Sequence, residues 1–172
     1  MKRIQICLAG FLLFCVLSLP AFAQGVAGGE WDKLNQEAFQ LYGAGNYPGA
    51  VDVAKKALDV AEKSLGPDHP DVALSLNILA LLYQAQGQYA QAEPLYRRSL
   101  AIREKSLGPD HSDVAQSLNN LAELYRTQSQ YAQAEPLYRR SLAIREKSLG
   151  PDHPDVATSL NNLAQHYQAQ GQ

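Results

Sequence analysis

Gly66-Pro67-Asp68-His69-Pro70-Asp71-Val72 returns as Gly108-Pro109-Asp110-His111-Ser112-Asp113-Val114 and again as Gly150-Pro151-Asp152-His153-Pro154-Asp155-Val156, each time 42 residues further on. A fixed period of a few tens of residues marks a stacked array, in which each unit is one supersecondary element and function lies in a repeated surface. From Asp71 to Gly87 apolar residues fall at Val72, Leu76, Leu79, Ala80 and Tyr83, the three-and-four spacing of an amphipathic helix. From Tyr89 to Leu107 the spacing recurs at Ala92, Leu95, Tyr96, Leu100 and Ile102. Gly87-Gln88 separates the two segments and Gly108 stands where a helix C-terminus needs a glycine. Each unit therefore reads as two antiparallel helices, and the chain as an all-α solenoid of such pairs.

The linker has its own chemistry. Asp68 is expected to cap the following helix, with His69 and Pro70 in the first turn and Asp71 completing a capping-box-like arrangement. Asp and His recur together in all three linkers, but copies a whole repeat apart would not share one ion, so capping is preferred and no metal or cofactor is expected. Pro94 is expected to lie near enough to the start of its helix to be tolerated, where amides lack intrahelical acceptors.

The 172 residues are one domain's worth of chain, 46% hydrophobic and of net charge −2. Residues 1–23 stand apart: Lys2 and Arg3, an uncharged apolar run from Ile6 to Leu19, then Pro20 and Ala21-Phe22-Ala23. This reads as a bacterial-type signal peptide cleaved after Ala23, giving an exported protein in the periplasm or outside the cell; an uncleaved membrane anchor is the competing reading. Cys7 and Cys15 lie in the removed segment, so the mature chain would have no cysteine and no thiol or disulfide chemistry. Loss of Lys2 and Arg3 takes the basic residues from 15 to 13 against 17 acidic, a net charge of −4. That balance argues against nucleic acid as a partner.

The run Ser75-Leu76-Asn77-Ile78-Leu79-Ala80-Leu81-Leu82-Tyr83, followed by Gly87-Gln88-Tyr89, Ala92-Glu93-Pro94-Leu95-Tyr96 and Arg98-Ser99-Leu100, resembles a tetratricopeptide repeat, and more narrowly the 42-residue kinesin-light-chain subtype with its Gly-Pro-Asp-His-Pro-Asp-Val linker. The likeness implies a right-handed α-solenoid. It is strong from Gly66 onward and divides the chain into full repeats at 66–107 and 108–149 and a half repeat at 150–172, read as a single capping helix or the start of a longer array. Residues 31–65 look like a divergent first repeat, with 24–30 a flexible lead-in replacing the linker. In the half repeat, Leu82 and Leu124 become His166 and Leu81 becomes Gln165, which suits a polar outer face, while Leu163 and Tyr167 would face an absent neighbour.

Comparing 66–107 with 108–149, seven of the 42 positions differ: Pro70/Ser112, Leu74/Gln116, Ile78/Asn120, Leu81/Glu123, Gln84/Arg126, Ala85/Thr127 and Gly87/Ser129. Apart from the linker pair, all lie on the first helix or the turn ending it. The resemblance implies that first helices line a concave groove. Leu74, Asn77, Leu81, Gln84 and Ala85 form a stripe beside the core stripe, and one of its columns does not vary: Asn35, Asn77, Asn119 and Asn161, joined by Asn120 and Asn162. Neutral amides can bond the backbone of an extended peptide whatever its side chains; the plainer reading is that they bond neighbouring helices and keep the repeats in register. Phe39, Tyr42, Leu74 and Leu81 would make the first part of the groove apolar, Glu123 and Arg126 the next charged, and Thr158, Gln165 and Gln168 the last neutral.

Arg97, Arg98 and Arg103, recurring at Arg139, Arg140 and Arg145, alternate with Glu93, Glu104, Glu135 and Glu146, and read as a solvated outer face. No Ser-His-Asp grouping, glycine-rich phosphate loop or paired-carboxylate cleft stands outside the scaffold, so the sequence argues for recognition without catalysis. The expected function is an exported adaptor that binds a peptide or protein segment. The alternatives are a structural array associating end to end, as a homo-oligomer through its C-terminal end, and a fragment of a longer array; membrane contact enters only if the signal segment is retained.

Overall fold

A computed structural model describes residues 21–171; the signal-like segment before Ala21, with both cysteines, lies outside the described residues. Among the described residues seven helices follow one another: α1 (Ala21–Gly43), α2 (Tyr47–Leu65), α3 (Pro70–Ala85), α4 (Tyr89–Leu107), α5 (Ser112–Thr127), α6 (Tyr131–Leu149) and α7 (Pro154–Ala169). Each packs on the next, most extensively within the hairpins α1–α2, α3–α4 and α5–α6. The result is an α-solenoid of three helix pairs and one further helix. Among the described residues no helix is long and apolar enough to cross a membrane.

The expected core stripe is buried, with Leu76 and Ala80 fully enclosed and Leu79 nearly so. α3 and α5 are buried on more than one face because each lies between its own hairpin partner and the preceding repeat. Ile78 and Leu82, outside the stripe read from periodicity, are therefore also core. Tyr96 and Tyr138 are the largest fully buried side chains, and each finds a partner for its hydroxyl: Tyr96 donates to Gln84 Oε1 at 3.0 Å and Tyr138 to Glu123 Oε2 at 2.7 Å.

Four expectations are corrected here. The lead-in expected over 24–30 is helical backbone, since α1 starts at Ala21; no proline interrupts it, and glycine lowers helix propensity by only about 1 kcal/mol each. The helix N-caps are His69, His111 and His153, whose Nδ1 atoms accept from the Asp71, Asp113 and Asp155 amides at 3.1–3.2 Å, and not the preceding aspartates. The reason is backbone geometry: the histidines are extended, with ψ 144°, 147° and 140°, which turns the ring toward the amide two residues on; Pro70 and Pro154 favour that conformation, and His111 adopts it before Ser112 as well. Asp68 and Asp110 instead pair with Lys105 and Lys147 at the far end of the same repeat.

Pro94 lies inside α4, beyond the free first-turn amides. It has no N–H to give to the Ala90 carbonyl, and both residues are exposed, so water can replace the lost bond. Finally, the arginines do not all face solvent. Arg97 pairs with Glu93 and is joined by the Tyr125 hydroxyl of the next repeat, but Arg103 and Arg145 are buried. Their Nη1 atoms reach into the following repeat, to the Asp113 carbonyl and Ser117 Oγ at 3.0 and 2.9 Å and to the Asp155 carbonyl and Ser159 Oγ at 3.2 and 2.8 Å.

At the first junction the place of these arginines is taken by Ala61, and the matching serine, Ser75, accepts from Trp31 Nε1 at 2.7 Å instead. A column of buried serines thus receives one side-chain donor per junction, from whichever side chain can reach it. An unsatisfied buried hydroxyl would cost about 1–3 kcal/mol, which explains why the divergent repeat supplies a tryptophan.

Candidate functional site

The first helices α3, α5 and α7 are tied side by side through their asparagines. Asn120 Nδ2 donates to Asn77 Oδ1 at 2.9 Å, and Asn162 Nδ2 donates to Asn119 Oδ1 at 2.8 Å. The amide column is therefore first of all a register device, as the plainer of the two readings has it. It also leaves the amide hydrogens of Asn77 and Asn119 as the groups these side chains can still offer. Asn35 departs from the pattern: it is buried, donates to the Trp31 carbonyl of its own helix at 3.0 Å, and its Oδ1 has no partner. Asn161 is exposed and Asn162 half-buried.

The bond from Asn120 is part of a longer chain. Arg145 Nη2 donates to Gln116 Oε1 at 2.7 Å, Gln116 Nε2 to Asn120 Oδ1 at 2.8 Å, and Asn120 to Asn77. Four side chains on α6, α5 and α3 are thereby held in fixed rotamers. One repeat earlier Leu74 and Ile78 stand for Gln116 and Asn120, and the same chain cannot form. The stripe therefore changes from apolar at Leu74, Leu81 and Ile78 to polar and cross-linked one repeat later.

Among the described residues Phe39 is the most exposed large apolar side chain, at 52%, and Leu74 is exposed near it in the repeat order. Tyr42 is half-buried with its ring tilted against Tyr47 at 5.5 Å, and Leu81 is half-buried. Gln84, expected to face a ligand, spends its oxygen on Tyr96. Glu123 and Arg126 pair with each other, and Glu123 also receives Tyr138. Burial pushes the Glu123 carboxyl up, but the hydrogen bonds of Arg126 and Tyr138 and the Arg126 charge together outweigh it and hold it below the usual carboxylate range. Arg126 is pushed up, chiefly by its hydrogen bond to Glu123. This charged section is thus largely self-satisfied. Gln165, Gln168 and Thr158 are exposed on α7. His166, expected on an outer polar face, is instead fully buried, because its position is the core position of Leu82 and Leu124.

The sequence reading missed Gln116, Arg103 and Arg145. Gln116 was visible as a difference between repeats, but its partner lies 29 residues away on α6. Leu163 and Tyr167, expected to face empty space, pack back on α6, with the Tyr167 hydroxyl against Arg139 and Glu135. On α7 the large apolar side chain left uncovered is Leu160, at 48% exposure.

The tetratricopeptide repeat family model matches residues 32–105, 71–147 and 113–172. No curated protein matches the chain. Among solved structures it is similar to BtubC (BKLC) of P. vanneervenii, at 25% identity, TM-score 0.74, and 82% coverage of this chain against 56% of that one. A Podosopora anserina structure of nearly identical TPR-like repeats, assigned to the kinesin light chains, matches at 31% identity and TM-score 0.74, with 82% and 67% covered. The first TPR of Spaghetti, bound to the HSP90 peptide SRMEEVD, shares the fold at 17% identity and TM-score 0.60, over 84% of this chain and 95% of that one. The chain thus spans little more than half the length of BtubC and two thirds of the Podosopora protein. With the repeat period, the helix pairs and these matches in agreement, the chain belongs to the tetratricopeptide repeat family and, within it, to the kinesin-light-chain-like kind.

Proposed function

We propose that the protein is an exported adaptor that holds an extended peptide segment of a partner along its first helices, without catalysis. The observation that carries this reading is the division of labour between helices: α4 and α6 are identical in sequence, whereas α3 and α5 differ around a constant column of amides. Scaffold is conserved inside the molecule and surface chemistry varies along it. Asn77 and Asn119 keep their amide hydrogens for ligand carbonyls, and the exposed Phe39 and Leu74 favour an apolar side chain at the α1–α3 end. The same fold carries an HSP90 peptide in Spaghetti. Export rests on Lys2, Arg3 and the apolar run ending at Ala21-Phe22-Ala23.

Peptides selected from a displayed library against the protein should lose at least about tenfold in affinity for the Asn77→Ala, Asn119→Ala double variant, the equivalent of roughly 1.4 kcal/mol. Unchanged affinity, with helical circular dichroism retained, would reject the groove as the binding surface. A second reading, association end to end, is favoured by Leu160, exposed where Leu76 and Leu118 are fully buried. Small-angle scattering that gives a monomer at every concentration rejects it.

A further inference from the structure

Position 166 breaks the repeat. Leu82 and Leu124 fill the corresponding core sites of α3 and α5, and His166 fills the third with no exposed surface. Its ring lies against Tyr131 and Tyr138 of α6, with centroids 5.7 and 5.5 Å away, and against Tyr167 of its own helix at 5.5 Å. The Nε2 atom meets the Gln170 amide nitrogen at 2.7 Å, so in the neutral ring that nitrogen accepts, and Nδ1 is buried without a partner. An imidazolium carries a hydrogen on both nitrogens. Here the Nδ1 hydrogen would be buried with no acceptor, and the Nε2 hydrogen would need the Gln170 amide to turn its oxygen toward the ring.

The surrounding groups give little relief. Tyr138 is committed to Glu123, and the Tyr167 hydroxyl to Arg139 and Glu135. Glu135 of α6 attracts a charged ring but is already bonded by Arg139, and Arg126 of α5 repels it. Burial is the largest influence and lowers the ring's pKa; Glu135 opposes it and Arg126 adds to it, leaving the group below the ordinary histidine value of 6.5.

We propose that His166 makes the α6–α7 joint an acid-sensitive latch, closed while the ring is neutral and opened by its protonation. The sign follows from linkage. With the folded pKa below 6.5, the open state binds more protons as pH falls beneath that value. The joint keeps its full stability above pH 6.5 and loses it from there down to the folded pKa, with the opening equilibrium growing by up to about tenfold per pH unit. Opening would release Asn162 from Asn119 and remove Asn161 and Gln165 from the row of first helices. The inference stands on the packing of α7 against α6, whether or not the groove holds a ligand.

Native-state hydrogen exchange between pH 8 and 5, corrected for intrinsic rates, tests this. Amides of α7 should lose protection below pH 6.5 while those of α3 do not, and His166→Leu, which restores the residue of α3 and α5, should remove that difference. His69, His111 and His153 cap α3, α5 and α7 alike and are common to both proteins, so the comparison isolates position 166. An α7 pH dependence unchanged in His166→Leu overturns the latch. A second measurement covers poor folding of the variant: the His166 imidazole, followed by NMR in the wild-type protein, should titrate below 6.5, and a midpoint at or above 6.5 with α7 still protected also overturns it.

Discussion

Single side chains in this protein take their energetic meaning from the junctions between repeats. Arg145 gives hydrogen bonds to three acceptors in two helices, the Asp155 carbonyl, Ser159 Oγ and Gln116 Oε1. Removing it leaves the buried Ser159 hydroxyl without its donor, breaks two part-buried bonds and empties a buried site, so Arg145→Ala should destabilise by about 2–4 kcal/mol in urea denaturation. A loss below about 1 kcal/mol would show that water replaces the guanidinium. Ser129 has φ +60°, where the equivalent turn residues Gly45, Gly87 and Gly171 have no Cβ to strain. Ser129→Gly should therefore stabilise by up to about 1 kcal/mol, raising the melting temperature by roughly 2–4 °C. No change in thermal melting would mean that the turn relaxes around serine.

At the scale of helices, each element ends where backbone chemistry ends it. Gly66, Gly108 and Gly150 adopt φ between +86° and +89°, and their N–H groups close the preceding helix on Glu62, Glu104 and Glu146. At the other end the histidine caps give a ranking to check. His111→Ala should cost about 0.5–1 kcal/mol by chemical denaturation, and Asp110→Ala less, because its ion pair with Lys147 is exposed. The opposite order would return the cap to the aspartate. Helix boundaries were legible because glycine, proline and the three-and-four spacing act within one or two turns. The aspartate and the histidine are two acceptors close together in sequence, and only the extended backbone at the histidine decides which one meets the amide.

Across the whole molecule, positions that are equal in sequence are unequal in surroundings. Leu118 of α5 lies fully buried against α4 and α6, whereas its counterpart Leu160 on α7 is half exposed. Leu118→Ala should then cost about 2–5 kcal/mol and Leu160→Ala less than half of that. Equal losses would mean that α7 is covered in solution, as end-to-end association requires. The 42-residue period, the helix pairs and most of the core stripe could be read from the chain alone, since they depend on neighbours three or four residues apart. The constant asparagine column could be read too, but not its partners. Those lie 43 residues away, and the same amides serve as ligand donors or as rivets according to how closely the repeats stack. Tertiary structure likewise decided that Arg103 and Arg145 are buried, that Trp31 serves Ser75, and that His166 sits in a core site. Burial belongs to the stack of helices as a whole, and no local pattern of polar and apolar residues specifies it.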